Sequence, residues 1–401
     1  MPPLPPDDSL PRFGGERPGR AATRRDLVRA LGVGLVGLPL AACTTARPET
    51  PVVRIVSPRI APPSPPVADV PPADSSLTAG PVAEPVAEPV VAVRETLRPR
   101  RVRAGGTIGL VAPAGVLRSP GQVSEAAADM RAMGFEARVG RHALDRYGFL
   151  AGSDQHRADD FMAMVTDPDV DAVVCLRGGY GCARILPLLD YDAIRQAAKP
   201  IVGYSDVTAL LLAIYARAGL VSFHGPVGIS QWRGATAEAF RDVLVRGGTL
   251  AIEGETQRDR LPFETVRRGQ AEGPLLGGNL SVVASLAGTG YLPSFAGSVA
   301  FFEETAEESY RLDRLFTQLE QAGVLGQTAA VVFGQCSQCS DGGSAWTAEE
   351  VLRDHLGSYR CPAWIGAPVG HVSPVYTLPI GLTVRTDADA GTLEAVGPAV
   401  V

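Results

Sequence analysis

The sequence predicts an α/β protein, with a layered parallel-sheet domain first and a mixed α and β module after it. Three observations predict this. From about residue 101, short apolar β-type runs alternate with helical segments, the pattern of βαβ units. The runs end in sharp or glycine-rich turns that lead straight into helices, such as Arg177-Gly178-Gly179-Tyr180-Gly181 and Tyr204-Ser205-Asp206. The chain has 401 residues, 45% hydrophobic and 20% charged, enough to bury a sizeable core.

The elements follow in order. Thr107 to Pro113 is a β-type run closed by proline, and Ser119 to Met133 is helical with Gly134 as its stop. Val170 to Leu176 is a second apolar strand, and a short helix follows from Ala183 to Leu189. Lys199 to Gly203 is a third strand, turning at Tyr204-Ser205-Asp206 into a helix from Val207 to Ala218. These elements place the parallel-sheet domain at 101–230. Residues 231–273, with charged runs at Arg258-Asp259-Arg260 and Arg267-Arg268, read as a linker with some strand. The second module, 274–401, holds Leu276 to Leu280 and a helix-like run to Leu286. Next come a strand from Ser298 to Phe302 that ends in Glu303-Glu304, and a helix from Tyr310 to Leu319. A strand from Ala329 to Phe333 and further strands and turns complete it, in a topology the pattern does not fix.

The segment before residue 101 is different material. Residues 44–100 carry 13 of the 34 prolines, have no Phe, Trp or Tyr, and repeat Val-Ala-Glu-Pro at 82–89. Such a stretch cannot offset its ordering entropy and reads as an extended tether. Residues 1–43 read as an export signal: Arg24-Arg25 precede an apolar run from Leu31 to Ala42, and Leu40-Ala41-Ala42 stand before Cys43. That ending resembles the lipobox of bacterial lipoproteins, which makes Cys43 the lipidation site and a membrane surface the partner. The paired arginines resemble a twin-arginine signal. Together these predict an exported, periplasmic protein with a lipid anchor. Thr44 after the cysteine fits the inner leaflet of the outer membrane.

Composition excludes several classes. A formal net charge of -6 argues against a nucleic-acid partner. No apolar run is as long as a membrane-spanning helix, and six cysteines are too few for a disulfide scaffold. None of the five histidines forms an HExxH pair, and Cys336-Ser337-Gln338-Cys339 lacks the second pair of a metal knuckle, so the sequence predicts no metal site. That C-x-x-C reads as a local disulfide or two free thiols. The glycine-rich turn at 177–181 has neither the Lys-Ser/Thr of a phosphate loop nor a complete GxGxxG, so no nucleotide cofactor is expected.

The chemistry concentrates at a few positions. Ser205, at a strand-to-helix turn, is placed like a nucleophile elbow, where free N–H groups and the helix dipole favour an oxyanion; on local sequence alone it reads more readily as a plain helix N-cap. His371 sits in a glycine-flanked loop, and His224 in a turn at a strand end, either lining a pocket or packing. Glu303 ends an apolar strand, where a carboxylate can orient a histidine.

Six motifs occur in order: Cys175 to Gly181, Gly203 to Asp206, His224-Gly225-Pro226, Gly277 to Leu280, Phe302-Glu303-Glu304 and Gly370-His371. Together they resemble the LD-carboxypeptidases, the serine peptidase family of muramoyl-tetrapeptide carboxypeptidases, over about 102–400. The resemblance implies a Rossmann-like N-terminal domain and a C-terminal domain with β-barrel-like character, with a Ser-Glu-His triad split between them. It implies Ser205 as nucleophile, Glu303 as acid and His371 as base. The N–H groups of Asp206 and of the Gly178-Gly179 turn would form the oxyanion hole, His224 would lie at the substrate site, and no cofactor would be needed. It implies a murein tetrapeptide as substrate, losing its terminal D-alanine, and members of the family are often homodimers. Val372 and Val375 stand where the family usually has Gly and Asn, which bears on specificity. Two other readings use the same residues: a microcin-immunity-type hydrolase of peptidyl or aminoacyl nucleotides, and a tethered murein-binding protein without turnover.

Overall fold

The computed structural model describes residues 94–257 and 260–401. The export signal, Cys43 and nearly all of the expected tether lie outside the described residues. The exception is 94–100, which belongs to the fold. Leu97 donates its N–H to the Gly219 carbonyl and accepts from Val221 N–H, 2.8 and 2.9 Å, and Arg94 pairs with Asp192. The tether therefore ends earlier than 100. Leu97, between Thr96 and Arg98, found backbone partners that composition does not reveal.

The first sheet has strands β1 (Thr107–Val111), β2 (Glu136–Val139), β3 (Ala172–Cys175), β4 (Ile201–Gly203) and β5 (Ser222–His224), all parallel. Its spatial order is β2-β1-β3-β4-β5, with an antiparallel sixth strand, β12 (Leu378–Ile380), beside β5. Side chains alternate across it. Val173 and Cys175 face one core with helices α2 (Asp154–Thr166) and α5 (Thr208–Ala218). Ala172 and Val174 face another with α1 (Pro120–Ala132) and α6 (Ala235–Phe240). The sheet is thus covered on both faces, as the Rossmann-like expectation requires.

Helix α5 is Thr208-Ala-Leu-Leu-Leu-Ala-Ile-Tyr215, apolar all round, and residues 208–215 are all buried. A helix apolar on every side must be covered on every side. Its core is continuous with that of the second sheet, through Leu275, Leu276 and Val283. The tip of α5 is therefore an interior fixture, and Ser205 stands just before it.

The second sheet has eight strands in the order β6-β14-β13-β8-β9-β10-β11-β7. They are β6 (Ala251–Glu253), β7 (Glu264–Arg267), β8 (Gln270–Asn279), β9 (Val299–Thr305), β10 (Ala330–Ser337), β11 (Ala363–Ile365), β13 (Thr383–Asp387) and β14 (Thr392–Ala395). Strands β8, β9, β10 and β11 run parallel, and the others pair antiparallel. The two edge strands are neighbours in sequence, and Phe263 N–H bonds the Glu255 carbonyl, 2.9 Å, across the segment that joins them. The sheet curls toward closure, in keeping with the β-barrel-like expectation.

Two boundaries differ from the sequence reading. Residues 231–273 are not a linker: they supply α6, a π-helical turn at Arg241–Arg246, and strands β6 and β7. These strands are three and four residues long and half-exposed, too short to show a period. Strand β12, expected in the second module, joins the first sheet instead. Such long-range pairing leaves no local trace.

Candidate functional site

Strands β1 and β3 are adjacent, yet the chain leaves β1 for β2 on one side and returns to β3 on the other. That is a topological switch point, where open α/β sheets bind ligands beyond the carboxyl ends of the strands. A groove of about 510 Å³ lies there, lined by Gly115, Val116, Phe149, Arg177, Gly179 and Tyr180.

The elbow stands beside it. β4 ends at Gly203, Tyr204 is extended, and Ser205 has φ +63°, a left-handed conformation that a non-glycine residue adopts at a cost of about 1–2 kcal/mol. A one-turn 3₁₀ helix, Ser205–Val207, then feeds α5. Plain N-capping does not need this conformation, and the Ser205 side chain makes no capping bond. A serine at positive φ between a strand and a helix is the backbone geometry of a nucleophile elbow.

Gly178 is packed against the elbow. A Cβ on it would stand 2.8 Å from Ser205 Cβ, 2.9 Å from its Oγ and 3.2 Å from Asp206 N. Only glycine permits this approach, which sets the glycine turn beside the first N–H groups of the helical turn. Such groups have no carbonyl of their own helix to bond. The Asp206 carboxylate is buried and accepts the Cys182 N–H, 2.9 Å, tying the far end of the glycine turn to the elbow. Burial pushes the Asp206 pKa up, with the Cys182 bond opposing it.

Glu303 and Glu304 are neighbours on β9, so their side chains point to opposite faces. Glu304 is fully engaged, accepting from Asn279 Nδ2, from the N–H and hydroxyl of Ser281, and from Thr305 N–H, all within 2.9 Å. It holds the N-terminus of α7 (Leu280–Leu286). Glu303 is 0% exposed and accepts from His371 Nδ1 through Oε2, 2.8 Å; its buried Oε1 has no hydrogen-bond partner among the described residues. The histidine loop reaches this carboxylate through Gly370, φ +128°, where a Cβ would stand 2.9 Å from Glu303 Oε2. Ser337 Oγ donates to the His371 carbonyl, 3.0 Å, and the ring of Tyr204 meets the His371 ring edge-on at 4.9 Å. The residue before the serine therefore touches the histidine.

Burial pushes the His371 imidazole down, but the bond from Glu303 and the charges of Glu303 and Glu304 outweigh it and raise its pKa above the ordinary value. His224 is 1% exposed, between Tyr204 and Phe301, and neither ring nitrogen has a hydrogen-bond partner among the described residues. Burial and the nearby His371 push its pKa to about 3, so it is neutral. It backs the site and does not open onto the groove. The sequence expectation of a substrate contact by His224 is corrected in that respect, because β5 turns its side chain into the interior.

Cys336 and Cys339 form a disulfide, next to the Ser337 that holds His371. Val375 donates its N–H to Thr236 Oγ1 of α6, 3.0 Å, so the histidine loop is anchored by the segment the sequence reads as a linker.

Sequence comparison matches residues 108–225 to the LD-carboxypeptidase N-terminal domain and 272–386 to the LD-carboxypeptidase C-terminal domain. The chain belongs to the LD-carboxypeptidase family. It is similar to a murein tetrapeptide carboxypeptidase of Pseudomonas aeruginosa, 32% identical over 69% of this chain and 92% of the relative. Among solved structures it resembles a muramoyltetrapeptide carboxypeptidase from Oxalobacter formigenes, with TM-score 0.64 and 28% identity over 73% of this chain and 99% of the other. It also resembles the microcin C7 self-immunity protein MccF in complex with glutamyl sulfamoyl guanosine, with TM-score 0.69 and 26% identity over 76% and 100%. The protein is a carboxypeptidase-type hydrolase of this family.

The sequence reading named the Arg177–Gly181 turn but not Phe149, which faces Tyr180 across the wall of the groove. Phe149 and Tyr180 stand edge-on with centroids 5.6 Å apart, and both are more than half exposed. Exposed aromatics beside glycines at a strand end were the available signal.

Proposed function

We propose that this carboxypeptidase is a serine enzyme that removes the terminal D-alanine of murein tetrapeptides, with Ser205 as nucleophile, His371 as general base and Glu303 as its orienting acid. The observation that carries the reading is the Glu303–His371 bond beside a strained serine elbow.

Glu303 occupies Nδ1 of His371, which leaves Nε2 to take the Ser205 proton. Ser205 Oγ attacks the carbonyl carbon of the bond between the L-centre of the diamino acid and D-alanine. Backbone N–H groups of Asp206 and of the Gly178-Gly179 turn receive the developing oxyanion, each worth about 3–4 kcal/mol. The C–N bond then breaks, and the His371 proton goes to the departing D-alanine amine. A water molecule then gives a proton to His371 and attacks the acyl carbon; the acyl C–Oγ bond breaks, and His371 returns the proton to Ser205 Oγ.

The test is the full chain with L-Ala-γ-D-Glu-meso-diaminopimelate-D-Ala, read by mass spectrometry for loss of one alanine. Turnover of an aminoacyl sulfamoyl nucleoside with an untouched tetrapeptide would move the assignment to the MccF-type reaction. Tetrapeptide binding without turnover would mark an inactive binding protein. In the same assay Gly178→Ala is expected to lower kcat/KM about 100-fold, because the elbow must shift to admit the new Cβ. An unchanged kcat/KM would show that the glycine turn takes no part.

We propose further that the enzyme works outside the inner membrane, held through Cys43 on a proline-rich tether; the motif at 40–43 supports this. No helix of the described residues is long and apolar enough to cross a membrane. The mature protein is expected to begin at Cys43 with acyl mass and to sediment with membranes. Cys43→Ala should release it to the soluble fraction; soluble, unacylated wild-type protein would refute the anchor. The lipid chains add about 0.8 kcal/mol per buried methylene.

A further inference from the structure

Away from the triad, three side chains converge that the proposed reaction does not use. His142 and Asp145 lie in the loop after β2, and His156 lies in the first turn of α2. The Nδ1 atoms of both histidines stand 2.8 Å from the same oxygen, Asp145 Oδ2. The two rings stack at 4.0 Å between centroids, with an interplanar angle of 23°. All three donor atoms lie within 4.8 Å of one another.

From this geometry we infer that His142, Asp145 and His156 form a binding site for a divalent transition metal of the zinc class. Two imidazoles that aim the same nitrogen at one carboxylate oxygen form a preorganised chelate of the two-histidine, one-carboxylate type. Nitrogen donors favour zinc, cobalt, nickel or copper over magnesium or calcium. Metal–ligand lengths near 2.0–2.2 Å place tetrahedral ligands about 3.3 Å apart. The cluster must open by roughly half an ångström for this, and the partly exposed side chains of Asp145 and His156 allow it. Water completes the shell. The ligands have firm backing: His142 N–H bonds the buried Asp160 carboxylate, 2.7 Å, and Ser153 Oγ accepts His156 N–H at the start of α2.

The site has a structural consequence. Its ligands bracket the loop 142–156 that carries Phe149, whose carbonyl bonds Val116 N–H, 3.0 Å, at the groove. A bound metal staples this wall of the groove to α2.

The experiment is a Co²⁺ titration of the tag-free full chain. One equivalent should give visible d–d bands that Zn²⁺ abolishes and Mg²⁺ does not. His142→Gln and His156→Gln should each weaken binding about 100-fold. Zn²⁺ should slow tryptic cleavage after Arg141 and Arg146 in the wild type and not in the double variant. His156 is half-exposed on a helix, so His156→Gln keeps the fold, checked by an unchanged unfolding midpoint in chelator. No bands in the wild type, or equal affinity in the double variant, would overturn the assignment.

Discussion

Ser205→Ala is expected to abolish D-alanine release while leaving the fold intact, with kcat lower by about 10⁴–10⁶-fold. The size follows from the way a triad works: without the nucleophile, Glu303 and His371 have nothing to activate, and only binding and the oxyanion groups remain. Ser205→Gly separates chemistry from strain. Serine at φ +63° carries a backbone cost that glycine does not. The glycine variant should therefore be as inactive as the alanine one yet more stable, by about 0.5–1 kcal/mol after the extra freedom of its unfolded chain is counted. Thermal unfolding of the three proteins beside the tetrapeptide assay decides this. A glycine variant less stable than the wild type would mean that the elbow is not strained, and turnover within about 100-fold of the wild type in either variant would place the nucleophile elsewhere.

The parts of this site written in local sequence were legible, and the parts made by long-range pairing were not. The elbow reads directly, because a glycine-ended strand, a serine and an apolar helix are contiguous. The glycine turn reads as well, although only the structure shows that Gly178 is needed for contact with Ser205. The choice between Glu303 and Glu304 is not local. Strand alternation says they face opposite ways, but which one meets His371 depends on where the loop at 370 returns, and Glu304 is identified as structural by its bonds to Asn279 and Ser281. Residues 231–273 read as a linker with some strand because β6 and β7 are short and only half-buried, and β12 joins a sheet whose other strands lie at least 150 residues earlier. The metal ligands at 142, 145 and 156 fit no spacing rule for a single helix, since a loop and a helix supply them separately.

Glu303→Gln should move the pH profile as well as lower the rate. His371 acts as a base only when neutral, so kcat/KM in the wild type should rise with pH through the raised pKa of that imidazole. Burial lowers this pKa, whereas the Glu303 bond and charge raise it. Replacing the carboxylate by an amide removes the raising contributions from Glu303 and leaves burial opposed only by the smaller effect of the Glu304 charge, so the acid limb should shift to lower pH. The plateau should fall by about 10³–10⁴-fold, because the amide neither stabilises the imidazolium nor fixes the tautomer. Stability follows the same linkage. A histidine whose folded pKa is raised above its unfolded value contributes stability that is fully present below the unfolded pKa and is lost as pH rises through the folded one. The stability lost in Glu303→Gln should thus be larger at mildly acidic than at alkaline pH. Rate profiles and unfolding midpoints across pH test both statements. A lower plateau with an unshifted limb would mean that Glu303 only packs the loop and does not set the charge state of His371.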